Sequence, residues 1–272
     1  MRGVVRAVGT AARPIATGAR RVSGQRGLTI IGWHRVDGES DGLSTGVDDF
    51  RRHLDTLGEW GAHVLPLDEA VAALEAGTLP DRAVALTFDD GYASVVETAW
   101  PLLRERGLPA TLFVVSGSLT KDLRFAWDLH EPEHDRLRLA RPDELLAAAA
   151  TGLDIGSHTV SHPWLPRLDA GEMKRELVDS RVALEELLGR PVTSLAYPTG
   201  GWDRVVRAAA DDAGYQVAIT VDRGLNTRRT PHLSLRRAFV PTEPEDLRLI
   251  LDGAYTMLRP LDTWRRRRGP AW

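Results

Sequence analysis

What most constrains the fold of this chain is an alternation that begins at residue 28, where short β-rich apolar runs take turns with segments of helical periodicity. The apolar runs occupy 28–33, 62–65, 83–88, 110–115, 153–155, 193–197, 216–221 and 234–239, and several are continuous, as expected of strands covered on both faces. Within 47–60, Phe50, Leu54 and Leu57 share one helical face and Gly61 follows as a terminator. Val95, Val96, Ala99, Leu102 and Leu103 form a second stripe, ended by Gly107 and Pro109. Asp169 and Glu172 make a capping pair for a third helix that runs through Met173, Leu177, Leu184 and Leu188 to Gly189. Seven or eight strands with a helix between most neighbours fit a closed barrel or an open doubly wound sheet, and the α/β barrel is the expectation. Residues 117–140 fit neither pattern and read as a long insertion over one end of the barrel.

Charge divides the chain more sharply than its balance of 35 basic against 38 acidic residues implies. A net charge of −3 argues against a dedicated nucleic-acid binder. Residues 1–27 nevertheless hold six arginines and no acid, and 265–268 are all arginine, which leaves an acidic body between basic ends. The expected organisation is a basic tail over 1–27, a barrel domain over 28–260 and a second basic tail over 261–272. Arg6, Arg13 and Arg20, seven apart, offer peripheral contact with an anionic membrane, while Gly9, Pro14 and Gly18 favour a solvated tail. No run reaches the length of a membrane span and no secretory signal is recognisable, so the expectation is a cytoplasmic or peripheral membrane protein.

The chain has no cysteine, which excludes disulfides, thiolate metal sites and cysteine nucleophiles together. Any metal must be held by His, Asp or Glu. Three clusters at predicted strand ends, where barrel enzymes place their chemistry, supply such groups. Thr87-Phe88-Asp89-Asp90-Gly91 puts two adjacent carboxylates after an apolar strand; taken alone it reads as a solvated Asp-Asp-Gly turn. Gly156-Ser157-His158-Thr159-Val160-Ser161-His162-Pro163 holds two histidines four apart, which converge on one ion if the backbone turns helically, and otherwise form an ordinary surface or core-edge pair. Leu195-Ala196-Tyr197-Pro198-Thr199-Gly200-Gly201-Trp202-Asp203 is a strand end with a Gly-rich turn, able to aim N–H groups at an anion or simply to connect strand and helix. Jointly, two His and one Asp leave open coordination positions for water, and a second Asp beside them can take its proton: the pattern of metal-assisted hydrolysis.

In this order, the T-F-D-D-G, G-S-H-T-x-S-H-P and Y-P-x-G segments resemble those of the polysaccharide deacetylases of carbohydrate esterase family four, the NodB-homology fold, over about residues 28 to 240. The resemblance implies a distorted (β/α)7 barrel that hydrolyses N-acetyl, and sometimes O-acetyl, groups on sugars with a divalent metal, zinc first and Co2+, Ni2+ or Fe2+ after it. By motif position it makes Asp89 the base, Asp90, His158 and His162 the metal ligands, and the N–H of Thr199 an oxyanion donor. The chain departs from that pattern at three places: no Arg stands near Leu195 or Ala196, Thr199 replaces a common Tyr, and Ala218-Ile219-Thr220-Val221 stands where the late L-x-H would be. Trp33-His34-Arg35-Val36 resembles the Y-H-R-V of the circularly permuted branch, which includes the poly-N-acetylglucosamine deacetylases and implies His34 as the general acid. Arg236 or Arg237 is a substitute for the missing Arg. Tyr197, Pro198, Trp127, Trp164 and Trp202 are the expected substrate-binding residues at the mouth, whereas His53 and His63, without motif context, read as surface residues. The implied substrate is an acetylated polysaccharide, oligosaccharide or glycolipid. The alternatives are a carbohydrate-binding relative impaired in catalysis and a non-haem iron oxygenase using two His and one carboxylate.

Overall fold

The computed structural model describes residues 27–38, 40, 42–129, 137–259, 261, 262, 266, 269 and 270. The N-terminal basic segment up to residue 26, part of the 117–140 insertion, and three of the four arginines in 265–268 lie outside them. In chain order the elements are β1 Thr29–Trp33, β2 Arg35–Val36, β3 Ser44–Thr45, α1 Val47–Trp60, β4 His63–Val64, α2 Leu67–Ala76, β5 Ala83–Phe88 and α3 Trp100–Glu105. There follow β6 Thr111–Val114, α4 Pro142–Ala150, β7 Asp154–Ser157, α5 Ala170–Leu188, β8 Ser194–Ala196, α6 Arg204–Asp212, β9 Val217–Ile219, β10 Ala238–Phe239 and α7 Pro244–Leu251.

Seven strands form one parallel path, β10-β1-β5-β6-β7-β8-β9, with β4 added beside β5. The ends of the path approach each other through 235–239: Leu235 bridges Ile219, and Ala238 and Phe239 pair with Ile31 and Gly32. The result is a strongly curved α/β half-barrel wrapped by helices, the expected distorted (β/α)7 architecture. Alternate strand residues divide between two cores. Ile30, Ala83, Ala85, Phe113, Ala196 and Ile219 meet α2 in one cluster, while Ile31, Val84, Leu86, Leu112, Val114 and Ile155 pack beneath the surrounding helices. Asp89 and His34 extend the first of these parities beyond the strand ends, so both side chains come out at the mouth of the barrel.

The helices end where the local chemistry requires. α1 stops at Gly61, which is left-handed at φ 73, and α5 begins in a capping box between Asp169 and Glu172. His53 corrects the surface expectation: it is fully buried, on the same face of α1 as Phe50, Leu54 and Leu57. Its Nε2–H donates to the Thr242 carbonyl and its Nδ1 accepts from the Trp33 indole. His63 is exposed. Among the described residues no helix is long and apolar enough to cross a membrane.

Candidate active site

The two consecutive carboxylates after β5 point to different partners because the chain turns sharply between them. Asp89 N–H still continues the sheet, donating to the Trp33 carbonyl, whereas Asp90 is left-handed at φ 72. Asp90 Oδ1 thereby lies 3.4 Å from His158 Nε2 and 3.6 Å from His162 Nε2. His158 Nδ1–H donates to the Ala196 carbonyl at 2.7 Å, which turns Nε2 toward the carboxylate. One ligand atom from each of the three residues falls within 4.8 Å of the others. An oxygen and two imidazole nitrogens converging in a buried pocket fit a divalent transition ion.

Asp89 is gripped from across β1 by Arg237, with Nη1 2.6 Å from Oδ1 and Nη2 2.5 Å from Oδ2. Both side chains are essentially buried, and Arg237 Nη1 also reaches Thr87 Oγ1. Room for the guanidinium depends on Gly32, since a Cβ there would lie 3.2 Å from Arg237 Cδ and 3.1 Å from Thr87 Oγ1. Arg236, the neighbour in sequence, faces the other way and donates to the Leu225 carbonyl. Of the two arginines considered for the missing position, the structure thus brings Arg237 to Asp89.

Electrostatics keep both carboxylates ionised. Burial pushes Asp89 up, but Arg237 and then His158 outweigh it and hold its pKa below the usual range. Asp90 is also lowered, burial being overcome by the hydrogen bond from His158 and the neighbouring imidazoles. His162 falls to about 4, through burial and then the adjacent His158, and is neutral with an available lone pair at neutral pH. Burial lowers His34 as well, against the upward pull of Asp90 and Asp89.

Four of the five non-glycine residues with positive φ among the described residues belong to this site: Asp90, Thr159, His162 and Thr199. Such conformations persist only where surroundings hold them. For the histidine loop the holder is Glu176 on α5, whose carboxylate accepts from the Val160 and Ser161 N–H groups and from the Ser161 hydroxyl. On the other side, Trp127 packs edge-on against His162 at 5.2 Å and stacks on Phe125 at 4.4 Å. Its indole N–H donates to the Tyr92 hydroxyl, which donates to Asp128, itself paired with the buried Arg35. The part of the 117–140 insertion that is described therefore delivers an aromatic wall to the site.

His34, Asp89, Asp90, His158, His162, Thr199 and Trp127 line one cavity of about 230 Å3. Trp164 lines an adjoining cavity of about 450 Å3. Tyr197, Pro198 and Trp202 are not among the residues that line these two cavities. Tyr197 is buried in the core with its hydroxyl on the Leu233 carbonyl, because its alternation places it under α5 and α6, and Pro198 is buried beside it. Trp202 is covered by the Arg266 guanidinium, 4.5 Å from its ring. Phe239, absent from the motifs, stacks on His34 at 4.3 Å and lies 4.6 Å beneath the Arg237 guanidinium. Its signal was positional: it is two residues beyond Arg237 on the same strand face. Asp128 and Glu176 carry no signal that the sequence alone distinguishes from solvated charge, and Arg35 stands out only as part of the Trp33-His34-Arg35-Val36 segment.

Among known proteins, the sequence profile of the polysaccharide deacetylase family matches residues 76–218, a stretch that contains Asp89, Asp90, His158, His162 and Thr199 but neither His34 nor Arg237. YxkH of Bacillus subtilis (strain 168) is 26% identical over 214 residues, covering 78% of this chain and 71% of that one. The poly-beta-1,6-N-acetyl-D-glucosamine N-deacetylase of Staphylococcus aureus (strain MSSA476) is 29% identical over 84 residues, covering 31% of this chain and 29% of its own. The Streptococcus pyogenes deacetylase PplD, solved in complex with acetate, shares the fold with a TM-score of 0.72 at 23% identity, over 84% of this chain and 99% of that one.

Proposed function

The chain belongs to the polysaccharide deacetylase family, a family of amide hydrolases, and we propose that it removes N-acetyl groups from glucosamine residues of a polysaccharide, oligosaccharide or glycolipid. The observation that carries this reading is the division of labour between consecutive carboxylates, Asp90 turned to two histidines and Asp89 held by an arginine, both opening on the cavity that His34 lines.

Asp90, His158 and His162 would hold a divalent ion, zinc by the preference of this donor set. When bound, such an ion supplies Lewis acidity, acidifying water and polarising the acetyl carbonyl. Asp89, ionised at neutral pH and oriented by Arg237, takes a proton from the attacking water. The Thr199 N–H, in the left-handed turn that lines the cavity, faces the oxyanion as the water oxygen bonds to the carbonyl carbon. His34, in the imidazolium form that the facing Asp90 and Asp89 carboxylates favour, gives its proton to the nitrogen as the C–N bond breaks, because an amide anion is too basic to leave; acetate and a free amine result. Phe239 stacked on His34 fixes the ring that makes this transfer. The binding-only alternative loses one of its supports, since Arg237 supplies the arginine absent from the third motif.

The test is acetate release from N-acetylglucosamine oligomers of differing linkage, with metal and with chelator, beside Asp89→Asn. Chelator-sensitive release that Asp89→Asn abolishes while still binding metal is the expected result. Metal-loaded protein that releases no acetate from any of them, or an Asp89→Asn variant as active as the parent, contradicts the reading.

A further inference from the structure

The two histidines that face Asp90 are held by different means. His158 is turned by its hydrogen bond to the Ala196 carbonyl. Among the described residues no such bond orients the His162 imidazole; it meets rings instead, edge-on to Trp127 at 5.2 Å, to Phe125 at 5.5 Å and to His158 at 4.8 Å. A ligand histidine ordinarily takes its ring orientation from an acceptor on its second nitrogen. For His162 that task falls to the aromatic wall, so whatever fixes the wall fixes the ring.

The wall is fixed at Asp128. Phe125 stacks on Trp127 at 4.4 Å and packs on Tyr92 at 5.9 Å. The Trp127 indole N–H donates to the Tyr92 hydroxyl oxygen at 3.1 Å, and the hydroxyl proton goes on to Asp128 Oδ2 at 2.6 Å. Because an ionised carboxylate only accepts, it sets the direction of the whole relay: indole to phenol to carboxylate. The other carboxylate oxygen, Oδ1, accepts from Arg35 Nη1 at 2.8 Å, and Arg35 Nε donates to Ser44 Oγ at 2.5 Å. Arg35 follows His34 directly in the chain. Asp128 thus ties together the strand end that carries His34, the loop after Asp90 that carries Tyr92, and the insertion that carries Trp127.

None of this network meets solvent appreciably: Arg35 is 3% exposed, Asp128 4% and Tyr92 1%. A buried ion pair is a weak source of stability, since desolvation offsets most of the attraction and well-packed apolar side chains of similar volume do as well. What it supplies here is a single geometry. We propose that Asp128 is a positioning residue of the site: through Tyr92 and Trp127 it orients His162 as a metal ligand, and through Arg35 it holds the strand end that presents His34. The second role rests on the deacetylase reading above; the first stands apart from it.

The experiment compares zinc affinity, kcat at saturating zinc on an N-acetylglucosamine oligomer, and urea unfolding in the parent, Tyr92→Phe and Asp128→Asn. Tyr92→Phe keeps the ring and removes the link to the indole. Asp128→Asn keeps the shape but sets an amide N–H against either the Tyr92 hydroxyl proton or the Arg35 guanidinium, donor facing donor. Zinc affinity falls about 10–100-fold in both. At saturating zinc, kcat returns close to the parent value in Tyr92→Phe but stays about tenfold low in Asp128→Asn, where Arg35 has lost its partner and His34 shifts. A merely structural role would lower the urea midpoint and leave the zinc affinity of the folded protein as it was. Parental zinc affinity in both variants overturns the proposal, and a parental kcat for Asp128→Asn at saturating zinc overturns its His34 arm. A zinc-loaded parent that releases no acetate, with zinc binding weakened in both variants, would instead remove the deacetylase reading and leave the orientation of His162 by Asp128 standing.

Discussion

Replacing Arg237 by Met separates what the arginine does for charge from what it does for packing. Wild-type Arg237 makes two short hydrogen bonds to Asp89 in a site where neither side chain meets solvent appreciably. Removing one partner of a buried pair costs about 3–5 kcal/mol, since the remaining charge is left uncompensated. Asp89 can escape part of that cost by taking up a proton, and burial, with the largest influence on this carboxyl, favours it. The lowered pKa in the native protein means that Asp89 contributes stability above the ordinary carboxylate range, lost as pH falls through the lowered value. In Arg237→Met the sign reverses, and the protonated form persists toward neutral pH. A general base is worth about 10²–10⁴-fold, so kcat/KM at pH 7 falls by at least about 10²-fold and the acidic limb of the rate profile moves to higher pH. Arg237→Lys keeps the charge but not the two-pronged grip, and lies between. The assay is acetate release against pH at saturating metal, with urea unfolding alongside. An Arg237→Met protein with parental kcat/KM and an unmoved acidic limb would refute the positioning role.

Two further outcomes follow from contacts outside the reaction cavity. Glu176→Ala frees three donors that hold the strained histidine loop, so affinity for zinc drops by about 10–100-fold in a metal titration while Glu176→Asp loses less; equal affinities would refute the clamp. His53 is held neutral by burial above all, against the upward pull of the Thr242 carbonyl and Asp49, and its lowered pKa predicts stability that is full above the ordinary histidine range and declines as pH falls below it. His53→Leu flattens that part of the urea-midpoint profile, and an unchanged pH slope would contradict the assignment.

Much of the site was legible because it is local. A strand that ends in Asp-Asp-Gly, two histidines four apart and a Gly-rich turn each carry their own positions, and the strand over 83–88 and the helix over 47–60 appear with the bounds their patterns predict. The burial of His53 was legible too, three residues after Phe50 and four before Leu57 on the buried face of α1, had helical spacing been weighed above the absence of a motif. Trp202 and Tyr197 were not, because both sit in a segment where the same turn sends one aromatic to the core and the other under an arginine from the far end of the chain.

By itself the sequence determined the α/β alternation, the absence of thiol chemistry and the set of oxygen and imidazole donors, since these depend on composition and on spacings of a few residues. Only the tertiary structure chose Arg237 over Arg236, joined Arg35 to Asp128 and seated Arg266 on Asp222. Those choices turn on which face of a strand looks inward and on which distant charges the closing sheet brings within reach. Register and long-range proximity are properties of the packed chain, and no local pattern of residues encodes them.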